Sequence, residues 1–285
     1  MPPQSTQASL ALWKSDDPAA WRTALDAYSA RLGALNNDKL LTLDRWFFEE
    51  LPGAIAARVP RHMTAAELVL LVDWKMTRGK VRPRLLEFAR AHSEGTVRDA
   101  TAAAIAVLAN ARGGGGGRGR DVMESESEGG SVLVAKSKSR AKAKITPAPP
   151  ATSAILAPAL ATRIAAATTQ AMIAVEDIPS ALAPLVALKG MGPATSSAVL
   201  AAADASIPFM SDDVMAVALP PSTGSSDTYS MPRLLQLAAK VRAKAAKVGL
   251  TAGEVERAVY SEAALTKTPK KDPLTGGDAA KKRKR

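Results

Sequence analysis

The residues whose types and spacing could do chemistry fall into four groups. In the first, LKGMGPATSSAVL at positions 188–200, Lys189 and a Gly190-Met191-Gly192 turn stand before Pro193 and a helix rich in small residues. Glycine at both turn positions lets the chain reverse tightly and bring its backbone close to another molecule. Met191 would pack between the two helices, while free N–H groups at the start of the second helix would point outward at a phosphate. Lys189 could add charge, and Thr195 or Ser196 a hydroxyl donor. Contacts of this kind hold a nucleic-acid backbone without reading bases; the alternative is an ordinary αα-hairpin.

The second group is Asp212 and Asp213 in the run PFMSDD. Either carboxylate could stabilise positive charge developing on a reacting sugar. The commoner use of such a pair is to decorate a helix N-terminus, here one capped by Ser211. The third group places Lys75, Arg78, Lys80, Arg82 and Arg84 within ten residues around Gly79. Arg82 precedes Pro83 and is pushed into extended backbone, so residues 80, 82 and 84 can point one way. They would form either a second backbone clamp or a solvated loop paired with Asp73 and Glu87. The fourth group, Lys281, Lys282, Arg283, Lys284 and Arg285 with Lys270 and Lys271 before it, has the composition of a nuclear localisation signal. The alternative is a non-specific polyanion-binding tail.

Other chemistry is excluded by what the sequence lacks. With no cysteine there are no disulfides, thiolate nucleophiles, zinc fingers or iron–sulfur clusters. Only His62 and His92 remain for a metal, so neither a metal site nor any other cofactor is expected. Glu49 and Glu50 are adjacent, and adjacent helical positions do not face each other, which argues against a general acid/base pair. The opening residues have neither a charged leader nor an apolar core of signal-peptide length. The apolar stretch 145–162 carries Pro147, Pro149, Pro150 and Pro158, so a membrane-spanning helix is not expected there.

The elements that must position these groups read as helices. Aromatic residues make up only 4% of the chain, so the core must come from Leu, Val, Ile and Ala, and the Ala-rich runs favour helix. Between residues 16 and 111 the signals predict five helices. Asp17-Pro18 starts one, Asn37 caps another that the Leu51-Pro52-Gly53 turn would end, and Thr64 with Glu67 forms a capping box. Pro83 starts the fourth, and Thr96 with Asp99 opens the fifth. From 161 to 265 the expected starts are Asp177-Pro179, Pro193, Ser211, Ser230-Pro232 and a Thr251/Glu254 capping box, with Gly249 ending the helix before it. Trp13, Trp21, Trp46 and Trp74 sit at helical spacings and read as core.

Residues 1–15, 112–160 and 266–285 read as disordered. The central segment combines a glycine run, Arg118-Gly119-Arg120, an acidic stretch around Ser125 and Ser127, a Lys/Ser run and a proline-rich end. Its Arg-Gly-Arg resembles RGG segments and the centre of an AT-hook, and the two serines resemble acidic-directed phosphorylation sites. Of the formal charge of +11, the 112–160 segment holds +4 and the 266–285 tail +6. The parts that fold are close to neutral, and the excess charge adds mainly salt-sensitive attraction.

GMGPATSSAVL followed by PFMSDD resembles the helix-hairpin-helix DNA glycosylase superfamily, whose hairpin precedes a catalytic aspartate. That resemblance places Asp212 and Asp213 in the catalytic window and Ala194 where some members carry a lysine nucleophile. Alanine cannot form a Schiff base, so only a monofunctional glycosylase would remain. DRWFFEELP, LVDWKMTRGKVRPRLLEFA and the hairpin block, in this order, are also similar to an uncharacterised eukaryotic family with no established reaction to carry over. Covering about 21–111 and 161–265, this second likeness implies one helical unit interrupted by an insertion.

The sequence thus predicts an all-α, glycosylase-like helix-hairpin-helix domain interrupted by a disordered insertion. Its leading function is that of a nuclear, non-enzymatic DNA- or chromatin-associated protein, with a nuclear import receptor as second partner. The expected contacts are Lys189, Gly190, Met191, Gly192, Thr195, Lys75, Arg78, Lys80, Arg82 and Arg84. The alternatives are a monofunctional glycosylase using Asp212 or Asp213, and a protein-binding scaffold that engages RNA through its tails.

Overall fold

The computed structural model describes residues 7–113, 175–221, 224 and 228–267, and among them there are helices and turns but no strand. The central insertion's composition, Ser125, Ser127 and the basic run 281–285 lie outside the described residues. In chain order the helices are α1 (Gln7–Lys14), α2 (Pro18–Asp26), α3 (Tyr28–Gly33), α4 (Asp38–Arg45) and α5 (Leu51–Ala56). There follow α6 (Ala65–Arg78), α7 (Pro83–Ala91) and α8 (Glu94–Gly113), then α9 (Ile178–Val186) and α10 (Pro193–Ala203). The last three are α11 (Asp212–Ala218), α12 (Met231–Val248) and α13 (Ala252–Ala264).

Local chemistry accounts for most of the boundaries. Asp17 accepts the Ala19 N–H and Asn37 the Leu40 N–H, each satisfying a donor that the first helical turn leaves over. Both capping boxes are complete: the Thr64 and Thr251 hydroxyls accept from Glu67 and Glu254, whose carboxylates reach back to the threonine N–H. Gly249 ends α12 in the left-handed conformation (φ 67°).

Three local expectations are corrected. Leu51-Pro52-Gly53 does not end a helix: a π-turn at Trp46–Glu50 carries α4 into α5. Pro52 lies in the first turn of α5, directly after the π-turn. Helix α8 starts at Glu94, with Ser93 Oγ accepting the Thr96 N–H, so the boundary precedes the predicted Thr96 start. Residues 7–14, expected to be disordered, form α1, which packs against α13 and α11 through the buried Leu12.

The described residues on either side of the insertion pack as one unit. Trp21, Phe47, Leu51 and Trp74 share a core with Leu182, Val199, Leu200, Val241 and Val259 from after the insertion. Trp74 stacks on Phe47 with ring centroids 3.8 Å apart and lies 5.1 Å from Phe209. Such aromatic contacts add to the area they bury. The buried Asp44 carboxylate accepts from Tyr28 Oη at 2.8 Å and Trp74 Nε1 at 2.9 Å, so the aromatic polar atoms are satisfied within the core. Helix α9 lies along α8, and α10 crosses α5, α6 and α8, which sets the hairpin beside the end of α6.

Candidate nucleic-acid interface

The hairpin runs from α9 through 187–192 into α10. Leu188 N–H donates to the Leu185 carbonyl and Met191 N–H to the Leu188 carbonyl, both at 3.0 Å, closing two successive tight turns. Gly190 has φ +86°, and a Cβ there would lie 2.7 Å from Phe88 Cβ. Both the backbone and the contact with α7 therefore require glycine. Gly192 differs. Its φ of −82° and ψ of 174° suit any residue, and a Cβ there would meet nothing within 4 Å. The fold does not explain this glycine, which is exposed at the N-terminus of α10.

The hydroxyls of α10 face inward, with Thr195, Ser196 and Ser197 all buried. Thr195 Oγ1 accepts from Lys75 Nζ at 2.7 Å, and Ser197 Oγ accepts the Met210 N–H at 3.0 Å. Neither Thr195 nor Ser196 stands on the rim as the outward donor that the sequence suggests. Met191 is buried, as a residue wedged between two helices would be.

The five cations of the basic run separate into two kinds. Arg78 was expected at the interface, but its side chain is 2% exposed and it bonds to the Glu256 carboxylate at 3.0 and 3.1 Å. Its guanidinium lies 4.0 Å from the Tyr260 ring centroid and 5.2 Å from that of Trp74. Burial works against the charge, but Glu256, Tyr28 and Asp44 together hold it protonated. Arg78 is a structural cation and is removed from the set of contacts.

Lys75 is partly buried on α6. Burial, reinforced by the Arg82 guanidinium, lowers its ammonium to about 8, with Asp212 opposing. Lys80, Arg82 and Arg84 are exposed. Arg82 lies over the Tyr229 ring at 4.6 Å. Arg84 and Lys189 approach one Phe88 ring, at 5.6 and 5.1 Å from its centroid, and neither makes an ion pair among the described residues. Asp73, offered by the sequence as a partner for the loop, bonds to Lys39 at 2.8 Å. His92 Nε2 donates to the Lys189 carbonyl at 2.9 Å, which ties the hairpin to the far end of α7.

Asp212 and Asp213 begin α11, where Ser211 Oγ accepts the Val214 N–H. Asp212 accepts from the Tyr229 hydroxyl, whose proton burial and this carboxylate hold firmly. Asp213 pairs with Lys267 at 2.8 Å, and Lys267 Nζ lies 3.8 Å from the Tyr260 ring centroid. Both carboxylates face a cleft shared with Lys75, Lys80, Arg82 and Tyr229. Its volume is about 50 Å³. A cavity that admits a benzene ring needs about 150 Å³, so this cleft holds water-sized groups and not a base.

Phe88, Tyr229, His92 and Lys267 were not singled out from the sequence. Phe88 carried a signal, standing four residues after Arg84 and so one helical turn further along the same face. The other three reach the site through tertiary packing. Among the described residues no group of three histidines and carboxylates could hold a metal, and no helix is long and apolar enough to cross a membrane. No family model, curated protein or solved structure matches the chain.

Proposed function

We propose that this is a nuclear, non-enzymatic protein that holds the backbone of duplex DNA through the hairpin and the exposed part of the basic run. The observation that carries this reading is the shared seat at Phe88. One ring packs against Gly190 and lies under both Arg84 and Lys189. Arg84 at the start of α7 and Lys189 of the hairpin thereby meet at one ring, and neither has a carboxylate partner among the described residues. Like charges gathered on one ring repel each other, and a phosphate between them would relieve the repulsion. Gly192 leaves open space at the start of α10 for the same phosphate, where the Thr195 and Ser196 N–H groups already bond to the Gly192 carbonyl.

The glycosylase reading has less support. Asp212 and Asp213 each have a partner, and the cleft they line is smaller than a base. Nuclear location rests on the composition of residues 281–285 alone.

The test is binding of a duplex oligonucleotide by the Arg84→Glu, Lys189→Glu double variant. Both residues are surface cations, so its thermal midpoint should match that of the parent protein. Its affinity at moderate salt should fall at least tenfold, and its salt-dependence slope by about two units, one for each lost phosphate contact. A slope and affinity equal to those of the unaltered protein would place binding in the terminal tail and remove the hairpin from it.

A further inference from the structure

The cleft beside the basic run has a charge and a size that together define what can enter it. Lys75 and Arg78 from the last turn of α6, and Lys80 and Arg82 from the loop after it, line the cleft with Asp212 and Asp213 of α11. Glu256 pairs with Arg78 and Lys267 with Asp213. Lys75, Lys80 and Arg82 then stand against Asp212 alone, which leaves an excess of two positive charges. Two of these cations are held in place by the protein itself. Lys75 Nζ donates to Thr195 Oγ1 at 2.7 Å, and the Arg82 guanidinium lies 4.6 Å from the centroid of the Tyr229 ring, whose hydroxyl donates to Asp212. Such seating spares an arriving anion part of the entropy of ordering long side chains. The cleft volume of about 50 Å³ takes about four atoms of oxygen size, as many oxygens as one phosphate carries. A terminal or free phosphate bears close to two negative charges at neutral pH, matching the excess, whereas a phosphate inside a nucleic-acid strand bears only one.

We infer that the cleft between α6, the 79–82 loop and α11 is a binding site for a phosphate dianion, free or at the end of a phosphomonoester, held by Lys75, Lys80 and Arg82. No hairpin residue lines the cleft, so this site is separate from the backbone contact at Phe88 and does not rest on it. Asp212 has two opposed effects there. Its hydrogen bond fixes Tyr229 beneath Arg82, while its charge repels the anion and sets an upper bound on affinity. An asparagine in its place would keep an oxygen for the Tyr229 hydroxyl and lose the repulsion.

The experiment titrates inorganic phosphate into the full chain at fixed ionic strength and follows the thermal midpoint, with acetate as the control anion and with Arg82→Gln and Asp212→Asn alongside. Phosphate should raise the midpoint of the unaltered protein to a plateau, and acetate should not. Arg82 is exposed, so Arg82→Gln should fold normally, yet it should need about tenfold more phosphate for the same rise. Asp212→Asn should need about fivefold less. The lysines and arginines of 266–285 also attract phosphate, but neither substitution alters them. A rise of equal size at equal phosphate in all three proteins, or no rise in the unaltered one, would overturn the site. The source of the phosphate is read from a duplex carrying 5′-phosphates against the same duplex with 5′-hydroxyls. Tighter binding of the phosphorylated duplex, with the preference lost in Arg82→Gln, assigns the cleft to nucleic-acid ends. Equal binding of the two duplexes, with the response to inorganic phosphate intact, assigns it to free phosphate.

Discussion

At the scale of single residues, the structure separates side chains that the sequence presents as equivalent. Gly190 and Gly192 look alike in the motif, yet one is demanded by its positive φ and by Phe88 while the other is demanded by nothing in the fold. Gly190→Ala should therefore destabilise the protein by about 2 kcal/mol or more, since it imposes both backbone strain and a clash. A urea titration would measure this, and a loss under about 0.5 kcal/mol, the scatter of an unremarkable surface change, would show that the turn relaxes. Arg78 likewise looks like its neighbours in the basic run and proves to be buried. Arg78→Met leaves Glu256 without its partner and should cost about 3 to 5 kcal/mol, with part of the loss recovered when Glu256 is also made apolar. The sequence could not show this, because Glu256 lies 178 residues away and only tertiary packing brings the two together.

At the scale of elements, most helix starts were legible because caps are local chemistry. Asp17, Asn37, Thr64, Ser211 and Thr251 each accept a backbone N–H within three residues. The misread boundaries are those where a longer-range effect prevails: Pro52 was absorbed by a π-turn, and α1 is held by α13 and α11 rather than by its own propensity. The Thr64 box extends beyond its helix, since Glu67 also pairs with Arg58 at 2.6 Å. Burial opposes ionisation of Glu67, but the bonds from Arg58 and Thr64 prevail and hold its carboxyl below the usual range. The fold therefore gains stability from this group above pH 5 or so and loses it as pH falls through the depressed value. Between pH 6 and pH 3, Glu67→Gln should lose less of its denaturation midpoint than the unaltered protein, while starting from a lower one. Parallel decline of the two would exclude Glu67 as a contributor to acid stability.

At the scale of the whole molecule, two segments separated by an insertion build one core. Trp74 and Leu51 come from before it, Val199 and Val259 from after it, and α9 lies along α8. Deleting residues 114–170 should leave a single cooperative thermal transition, because the described residues before and after it already share one core. Two separable transitions in the unaltered protein would contradict a shared core. Helix content and the hairpin could be read from periodicity and turn chemistry. The rim could not, because it depends on Phe88 meeting Gly190 and Lys189 in space.

The central claim is that the hairpin holds nucleic-acid backbone, and Gly192→Val tests it most directly. Because the fold leaves open space around Gly192, this variant should keep its helical circular dichroism and a thermal midpoint close to that of the parent. Its duplex affinity should nonetheless fall about tenfold for every sequence tried, with a salt-dependence slope lower by about one unit. A folded Gly192→Val protein with unchanged affinity and slope would show that the hairpin serves only to join α9 to α10.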